Sequence, residues 1–164
     1  MKALNCIPLL VLAASAQAHV TLDQPQAAAG SSFRAVFKVG HGCDGSATHT
    51  LVVRLPPAVR NAKPMPKAGW TLDVRDSPDE GRVITWKAAS QDNWLPENVY
   101  DEFVVRLQAP EQTGPQWFKV LQVCEKGQAD WAEVPASGNS TRGLKAPAAL
   151  LDITTAGEHA GHAH

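Results

Sequence analysis

Residues 30–40 read GSSFRAVFKVG, and apolar side chains recur there at every second position. On an extended chain one face would carry four of them: Phe33, Ala35, Phe37 and Val39. Arg34 and Lys38 would lie on the opposite face. This period of two is typical of a strand with one face toward a core and one toward water. The stretch therefore predicts a β-strand, and with it a β fold.

The same pattern recurs along the chain between turns rich in proline and glycine. Residues 58–69 and the polar residues 88–99 are predicted to be connections. Eight or nine short strands without any required helix predict an all-β fold, a single-domain antiparallel sandwich of the immunoglobulin or fibronectin type. The predicted strands are 19–23, 30–40, 48–55, 70–75, 82–87, 100–107 and 117–124, with short closing strands at 131–134 and 149–154.

The first 18 residues have the composition of a signal peptide. Lys2 precedes an apolar run over 7–14, and Ala16-Gln17-Ala18 is a cleavage pattern. The run is well short of the roughly 20 residues that span a bilayer. We expect cleavage after Ala18 and a periplasmic or secreted protein without a membrane anchor. The domain would cover 19–155, followed by a disordered, histidine-rich tail over 156–164.

Charge and motifs exclude several classes of function. The formal net charge is −1, so no basic excess indicates a nucleic-acid partner. The sequence has no Gly-x-Ser-x-Gly, no His-Glu-x-x-His and no phosphate-binding glycine loop, which argues against a hydrolase. Cys43 and Cys124 remain after the leader, and an exported chain favours one disulfide between them. A copper–thiolate site is the alternative.

His19 would become the first residue after cleavage. Its α-amine and its imidazole could then close a chelate ring on one metal ion. Nitrogen donors suit Cu(II), which stands at the top of the divalent affinity order. Both nitrogens must be unprotonated, so affinity should fall as the pH falls. Alternatively, a histidine after the cleavage point is accidental.

Other histidines are weaker candidates. His41 lies in a turn-rich loop two residues before Cys43, where a purely structural role is favoured, and His49 lies in a predicted strand and should face solvent. The tail offers a possible secondary metal site, or a soluble segment without a role. Its three histidines are His159, His162 and His164.

Several motifs together resemble the YcnI-like family of bacterial exported copper proteins, over most of residues 19–135. The chain would start with His-Val and close on Trp131. Between them the motifs are His-Gly-Cys-x-Gly-Ser at 41–46, Lys-Pro-x-Pro-Lys-x-Gly-Trp at 63–70, Tyr-Asp-Glu-Phe at 100–103 and Gln-x-Cys-x-x-Gly at 122–127.

The resemblance implies a β-sandwich that binds one Cu(II) by a monohistidine brace. The brace would use the amine and ring nitrogen of His19, with a carboxylate and a tryptophan completing the surroundings. Trp131 matches the tryptophan, although a residue capping the core is the alternative. Glu102 matches the carboxylate, with three other candidates: Glu133, Glu125 and Asp101.

The donor types favour a carrier over a redox protein. Cu(I) prefers thiolate and thioether ligands, and Met65 is the one methionine besides Met1. We expect a non-enzymatic Cu(II) carrier that hands copper to an importer or another periplasmic copper chaperone. The alternatives are a brace-type copper oxygenase and an interaction sandwich in which His19 is incidental.

Overall fold

Two facing sheets make up the computed structural model, which describes residues 19–78 and 81–156. The described strands are β1 (Thr21–Leu22), β2 (Gln26–Ala28), β3 (Ser32–Val39), β4 (Thr48–Arg54), β5 (Arg60–Pro64), β6 (Trp70–Ser77), β7 (Gly81–Ala88), β8 (Asp101–Gln108), β9 (Gly114–Cys124), β10 (Gln128–Trp131) and β11 (Ala149–Thr154). A single turn of 3₁₀-helix at Gln91–Asn93 is the helical element of this part of the chain. The predicted all-β sandwich is confirmed.

The four-stranded sheet has the order β1-β3-β8-β5. The second sheet has the order β2-β11-β9-β4-β7-β6, and β10 pairs with β9. Neighbouring strands are antiparallel, except that β2 and β11 run parallel. An early strand, β2, and the last described strand, β11, therefore pair in the second sheet, while β1 belongs to the first.

The predicted inward face of β3 is buried as its alternation requires. Between the sheets, the Phe37 ring packs edge-on against Phe118 of β9, with ring centroids 5.5 Å apart. Phe103 of β8 packs in the same way against Trp86 of β7, at 5.5 Å. Aromatic pairs of this geometry add to the stability gained from burial alone.

The prediction that 58–69 is only a connection was wrong, because it contains β5. Lys63 of β5 pairs with Arg106 of β8, and the register shifts between Arg60 and Lys63. Asn61 lies in that irregularity with a φ of 52°. An edge strand tolerates proline and a bulge, and it needs no apolar alternation to form backbone hydrogen bonds. Sequence periodicity therefore gave no signal for it.

The short strand predicted at 131–134 was also misplaced. β10 ends at Trp131 instead of beginning there, because Gly127, with a φ of 77°, allows the chain to fold straight back onto β9. The strand β2 was missed, since Pro25 looked like the end of pairing. Its Gln26 lies opposite Asp152 of β11.

The predicted disulfide is present. Cys43 and Cys124 form a disulfide bond, with their Cα atoms 5.8 Å apart and a sequence separation of 81. The bond ties the loop after β3 to the end of β9. The predicted leader over 1–18 and the tail histidines (His159, His162 and His164) lie outside the described residues. The described part of the chain contains no helix long and apolar enough to cross a membrane.

Candidate metal centre

His19 and Trp131 lie against each other at one end of the sandwich. Their ring centroids are 5.4 Å apart and their planes are inclined by 81°, so the rings meet edge to face. Val20 and Leu22, which follow His19, point into the core and are buried. Trp131 is the last residue of β10 and is 7% exposed. The buried side chains of β1 and β10 thus fix the backbone on both sides of this contact.

Gln122 holds the indole of Trp131 in place. The indole Nε1–H donates to the Gln122 Oε1 over 3.1 Å. The Nε2 of the same amide donates to the His41 carbonyl and to Thr48 Oγ1, each over 2.7 Å. Gln122 is 1% exposed, and both ends of its amide are satisfied. Buried polar groups are stable only when paired in this way, so the network fixes the tryptophan that faces His19.

The His-Gly-Cys-x-Gly-Ser motif forms one packed loop beside this network. The backbone N–H of Cys43 donates to the Ser46 carbonyl over 3.2 Å, and Ser46 N–H donates back over 2.9 Å. Gly42 donates its N–H to Glu97 Oε2 over 2.7 Å. A Cβ at Gly42 would lie 1.8 Å from the Ser46 carbonyl oxygen, so the loop requires glycine there.

Two imidazole nitrogens are buried without a hydrogen-bond partner in the described structure. They are Nε2 of His19 and Nε2 of His41. The His41 ring contacts the Gly42 carbonyl through Nδ1. Unpaired buried nitrogens are uncommon. The His19 ring contacts Trp131, whereas His41 meets Gln122 through its main-chain carbonyl. Imidazole nitrogen is also a good Cu(II) ligand, so the chemistry of the donors fits that ion.

In His19 the two ring nitrogens have different positions relative to the main chain. Nδ1 is the atom close enough to the residue's own α-nitrogen to close a small chelate ring. Nε2 points away from the main chain and is the buried, unpaired atom. A cleft of about 160 Å³ lies beside this residue, and Pro147, Ala148 and Leu150 contribute to its walls.

Glu102 lies apart from the His19–Trp131 contact. It is opposite Lys38 in β3, which in turn is opposite Thr21 in β1, so Glu102 is two strands away from β1. Its Oε1 accepts a hydrogen bond of 2.7 Å from the Tyr100 hydroxyl. The structure therefore brings together His19 and Trp131, and it places Glu102 farther along the outer face of the first sheet.

The other candidate carboxylates have their own partners or lie in a turn. Asp101 accepts from Lys67 Nζ over 2.6 Å. Glu133 Oε2 accepts from the backbone N–H of Lys145 over 2.9 Å. Glu125 is exposed in the turn between β9 and β10. Within 19–78 and 81–156, no group of three or more His, Cys, Asp and Glu side chains is arranged to hold a metal ion.

Gln122 and Glu97 were not singled out as site residues from the sequence. Gln122 did carry a signal, because it falls at an inward position of β9, in phase with Phe118, Val120 and Cys124. A polar side chain in such a row needs buried partners. Glu97 had no signal, since it lies in a polar loop and meets Gly42 only through the fold.

The predicted solvent-facing position of His49 is partly correct. The residue is half-buried, its Nδ1 is 2.9 Å from Thr50 Oγ1, and its ring lies 5.4 Å from the Trp94 ring. It belongs to a separate contact, away from the network around Gln122.

Comparison with known proteins identifies relatives of the whole domain. Residues 19–153 match the family described as Domain of unknown function (DUF1775). An uncharacterised Nocardia farcinica protein with an immunoglobulin-like fold is 31% identical, with a TM-score of 0.69 over 84% of this chain and 99% of that one. Its fold agrees with the immunoglobulin-like sandwich predicted from the sequence. No curated protein matches the chain.

Two cohesin structures match the chain more weakly. A non-cellulosomal cohesin from Archaeoglobus fulgidus is 12% identical, with a TM-score of 0.49 over 88% of this chain and 98% of that one. A ScaB cohesin from Pseudobacteroides cellulosolvens is 11% identical, with a TM-score of 0.48 over 89% and 97%. Likeness at this level carries no argument about what the present chain does.

Proposed function

We propose that this chain, which belongs to the YcnI-like family (DUF1775), is a Cu(II) carrier. The ion would be held by the α-amine and ring nitrogen of His19 once the bond after Ala18 is cut. The carrier would act in the periplasm and hand copper to an importer or to another copper chaperone.

The contact between His19 and Trp131 carries this proposal. Position 19 is where the family match begins, and its imidazole meets the ring of a buried tryptophan, with the centroids 5.4 Å apart. A histidine placed at the terminus by accident would have no need of a fixed aromatic neighbour. The Gln122 amide also orients that neighbour, through the indole N–H.

The state of the sulfur atoms favours Cu(II) over Cu(I) as the cargo. Cys43 and Cys124 are joined in a buried disulfide and offer no thiolate. Cu(I) prefers soft sulfur donors, whereas amine, imidazole and carboxylate suit Cu(II). A centre built on nitrogen and oxygen would hold the oxidised ion and lose it on reduction, which suits a carrier.

The carboxylate that completes the surroundings is proposed to be Glu102, by its match to the family motif. Its Oε1 accepts a hydrogen bond from the Tyr100 hydroxyl, and Glu102 is two strands away from β1. Both the hydrogen bond and that separation would have to change for the carboxylate to reach a metal ion near His19. Replacement of Glu102 by Gln tests this separately from the brace.

A Cu(II) titration followed by EPR tests the proposed brace. One chain begins at His19 and ends at Thr155, so that the histidine-rich tail is removed. The matched control carries one alanine ahead of His19, which moves the α-amine and leaves every side chain unchanged. We expect one tight tetragonal centre with nitrogen couplings in the first chain and its loss in the second. Equal binding by both chains would show that His19 is not the anchor.

A further inference from the structure

Three cations lie side by side on the outer face of the four-stranded sheet. Arg34 of β3 pairs in register with Arg106 of β8, and Arg106 pairs in register with Lys63 of β5. Directly opposed residues on neighbouring antiparallel strands have Cβ atoms about 5 Å apart. We name these three residues the cationic row. All three side chains are exposed.

The cationic row has no carboxylate partner in the described structure. Arg106 Nε donates to the Ser32 hydroxyl over 3.1 Å, which leaves its charge uncompensated. Like charges placed directly opposite one another on a sheet are destabilising. A fold that aligns three of them on adjacent strands therefore accepts a cost that an anionic partner would remove.

The other end of the same face is arranged differently. Lys38 lies 3.6 Å from Asp23, and Lys67 lies 2.6 Å from Asp101. Those cations are matched, and they are about four residues, or about 13 Å, along the strands from the row. The positive charge is thus concentrated at one end of the face, in a chain whose formal net charge is −1.

An open groove of about 620 Å³ runs beside the row. Met65 and Val104 contribute apolar surface to it, and the side chain of Met65 is 50% exposed. A second groove is lined by Lys63 and Arg106 of the row and by Gly30. The carboxylate of Glu111 lies against Gly30. The guanidinium group of an arginine can bind a carboxylate through two parallel hydrogen bonds. The apolar surface of the groove would add contact area for a bound segment.

We infer that the cationic row is a docking surface for an acidic segment of a partner protein. A partner with a small footprint can place its carboxylates on the row and avoid Asp23, Asp101 and Glu102. A flat anionic membrane would meet both ends of the face, and at the other end it would find Lys38 and Lys67 already paired and Glu102 without a cationic partner among the described residues. The edge strand β5 itself is blocked from pairing with a further strand by Pro64 and by the bulge at Asn61. Side-chain charge would therefore carry the recognition, and this inference does not depend on copper.

Binding to labelled poly-L-glutamate tests the inference, with the protein produced from the full sequence. The test variant combines Arg34→Gln, Lys63→Gln and Arg106→Gln. The matched control combines Lys87→Gln, Lys119→Gln and Arg142→Gln, which removes the same charge from exposed positions outside the row. We expect about tenfold weaker binding for the test variant, since three exposed ion pairs are lost, and little change for the control. The unfolding midpoint of the test variant should be no lower than that of the parent.

Three results would overturn the inference. One is that the parent protein binds neither poly-L-glutamate nor vesicles at low salt. Another is that the test and control variants lose affinity for poly-L-glutamate equally. The third is binding to phosphatidylglycerol vesicles without binding to poly-L-glutamate, which would identify a membrane as the occupant. Binding to poly-L-glutamate that depends on the row and weakens steeply with salt supports the protein partner.

Discussion

Trp131 and Gln122 are joined by a single hydrogen bond of 3.1 Å, from the indole N–H to the amide oxygen. The amide is buried in β9 and the indole closes β10, so the bond links two paired strands to the ring of His19. The amide oxygen of Gln122 accepts from Trp131, and the amide nitrogen donates to both the His41 carbonyl and Thr48 Oγ1.

Replacement of Gln122 by Leu should lower the free energy of unfolding by about 2–3 kcal/mol. The change leaves the Trp131 N–H and the His41 carbonyl without their partner, and Thr48 Oγ1 keeps its contact with Cys124 Sγ. Each unpaired buried group costs about 1–3 kcal/mol before relaxation. Urea unfolding measures the loss. The control is Gln128→Leu on the exposed face of β10, which should stay within about 0.5 kcal/mol of the parent. Equal effects of the two changes would contradict the structural role of the Gln122 amide.

Replacement of Trp131 by Phe should keep an aromatic ring near His19 and lose only the N–H donor. Gln122 Oε1 would then be unpaired, and stability should fall by about 1–3 kcal/mol. Replacement by Leu removes the ring as well. NMR of the His19 ring protons should show a large shift change for Trp131→Leu and a smaller one for Trp131→Phe. If neither variant moves these resonances, the two rings are not in contact in solution.

The fold was predictable where burial sets the pattern. Residues 30–40 alternate because one face of β3 packs in the core. The hairpin of β6 and β7 follows from two alternating runs around a polar turn. β5 was not predictable, because an edge strand is held by backbone hydrogen bonds that leave no periodic trace. The parallel pairing of β2 with β11 joins residues more than 120 apart, beyond the reach of local pattern.

Two residues of the candidate site, His19 and Trp131, were predictable from the sequence. His19 and Trp131 stood out through motif positions, and the structure places their rings in contact. Gln122 and Glu97 act through tertiary contacts with the loop at 41–46, and nothing in their local sequence names those partners.

Removal of the disulfide should cost about 4 kcal/mol of stability. Cys43 and Cys124 close a loop with a sequence separation of 81 residues, and the chain-entropy relation gives a cost of this size for such a loop. The test variant is Cys43→Ser combined with Cys124→Ser, measured by urea unfolding against the parent. A loss below about 1 kcal/mol would mean that the crosslink hardly restricts the unfolded chain.

Tyr100, the one tyrosine of the chain, should lose its phenolic proton at a higher pH than a free tyrosine does. Desolvation, the hydrogen bond to Glu102 and the charges of Glu102, Asp23 and Asp101 raise the pKa of Tyr100 from 10.0 to about 12. The folded state then retains the phenolic proton more strongly than the unfolded state. Its stabilising contribution is complete below pH 10 and is lost as the pH rises through about 12.

Ultraviolet absorbance of the tyrosinate reports this titration without interference from a second tyrosine. In Glu102→Gln the midpoint should move back toward 10.0, because the neighbouring negative charge is gone. Glu111→Gln is the control, since it removes a carboxylate placed elsewhere, against Gly30. A parental midpoint near 10.0 would contradict the contact between Tyr100 and Glu102.

The neighbours of His19 lie more than 100 residues later in the sequence. Trp131 faces its ring, and Pro147 and Ala148 line the cleft beside it. Ribosomes extend a chain from its amino end, so every nascent chain shorter than 131 residues contains His19 without its indole. The surroundings of His19 are therefore completed only after β10 and the segment before β11 have been made, and the contact between the two rings would report that the whole domain has folded.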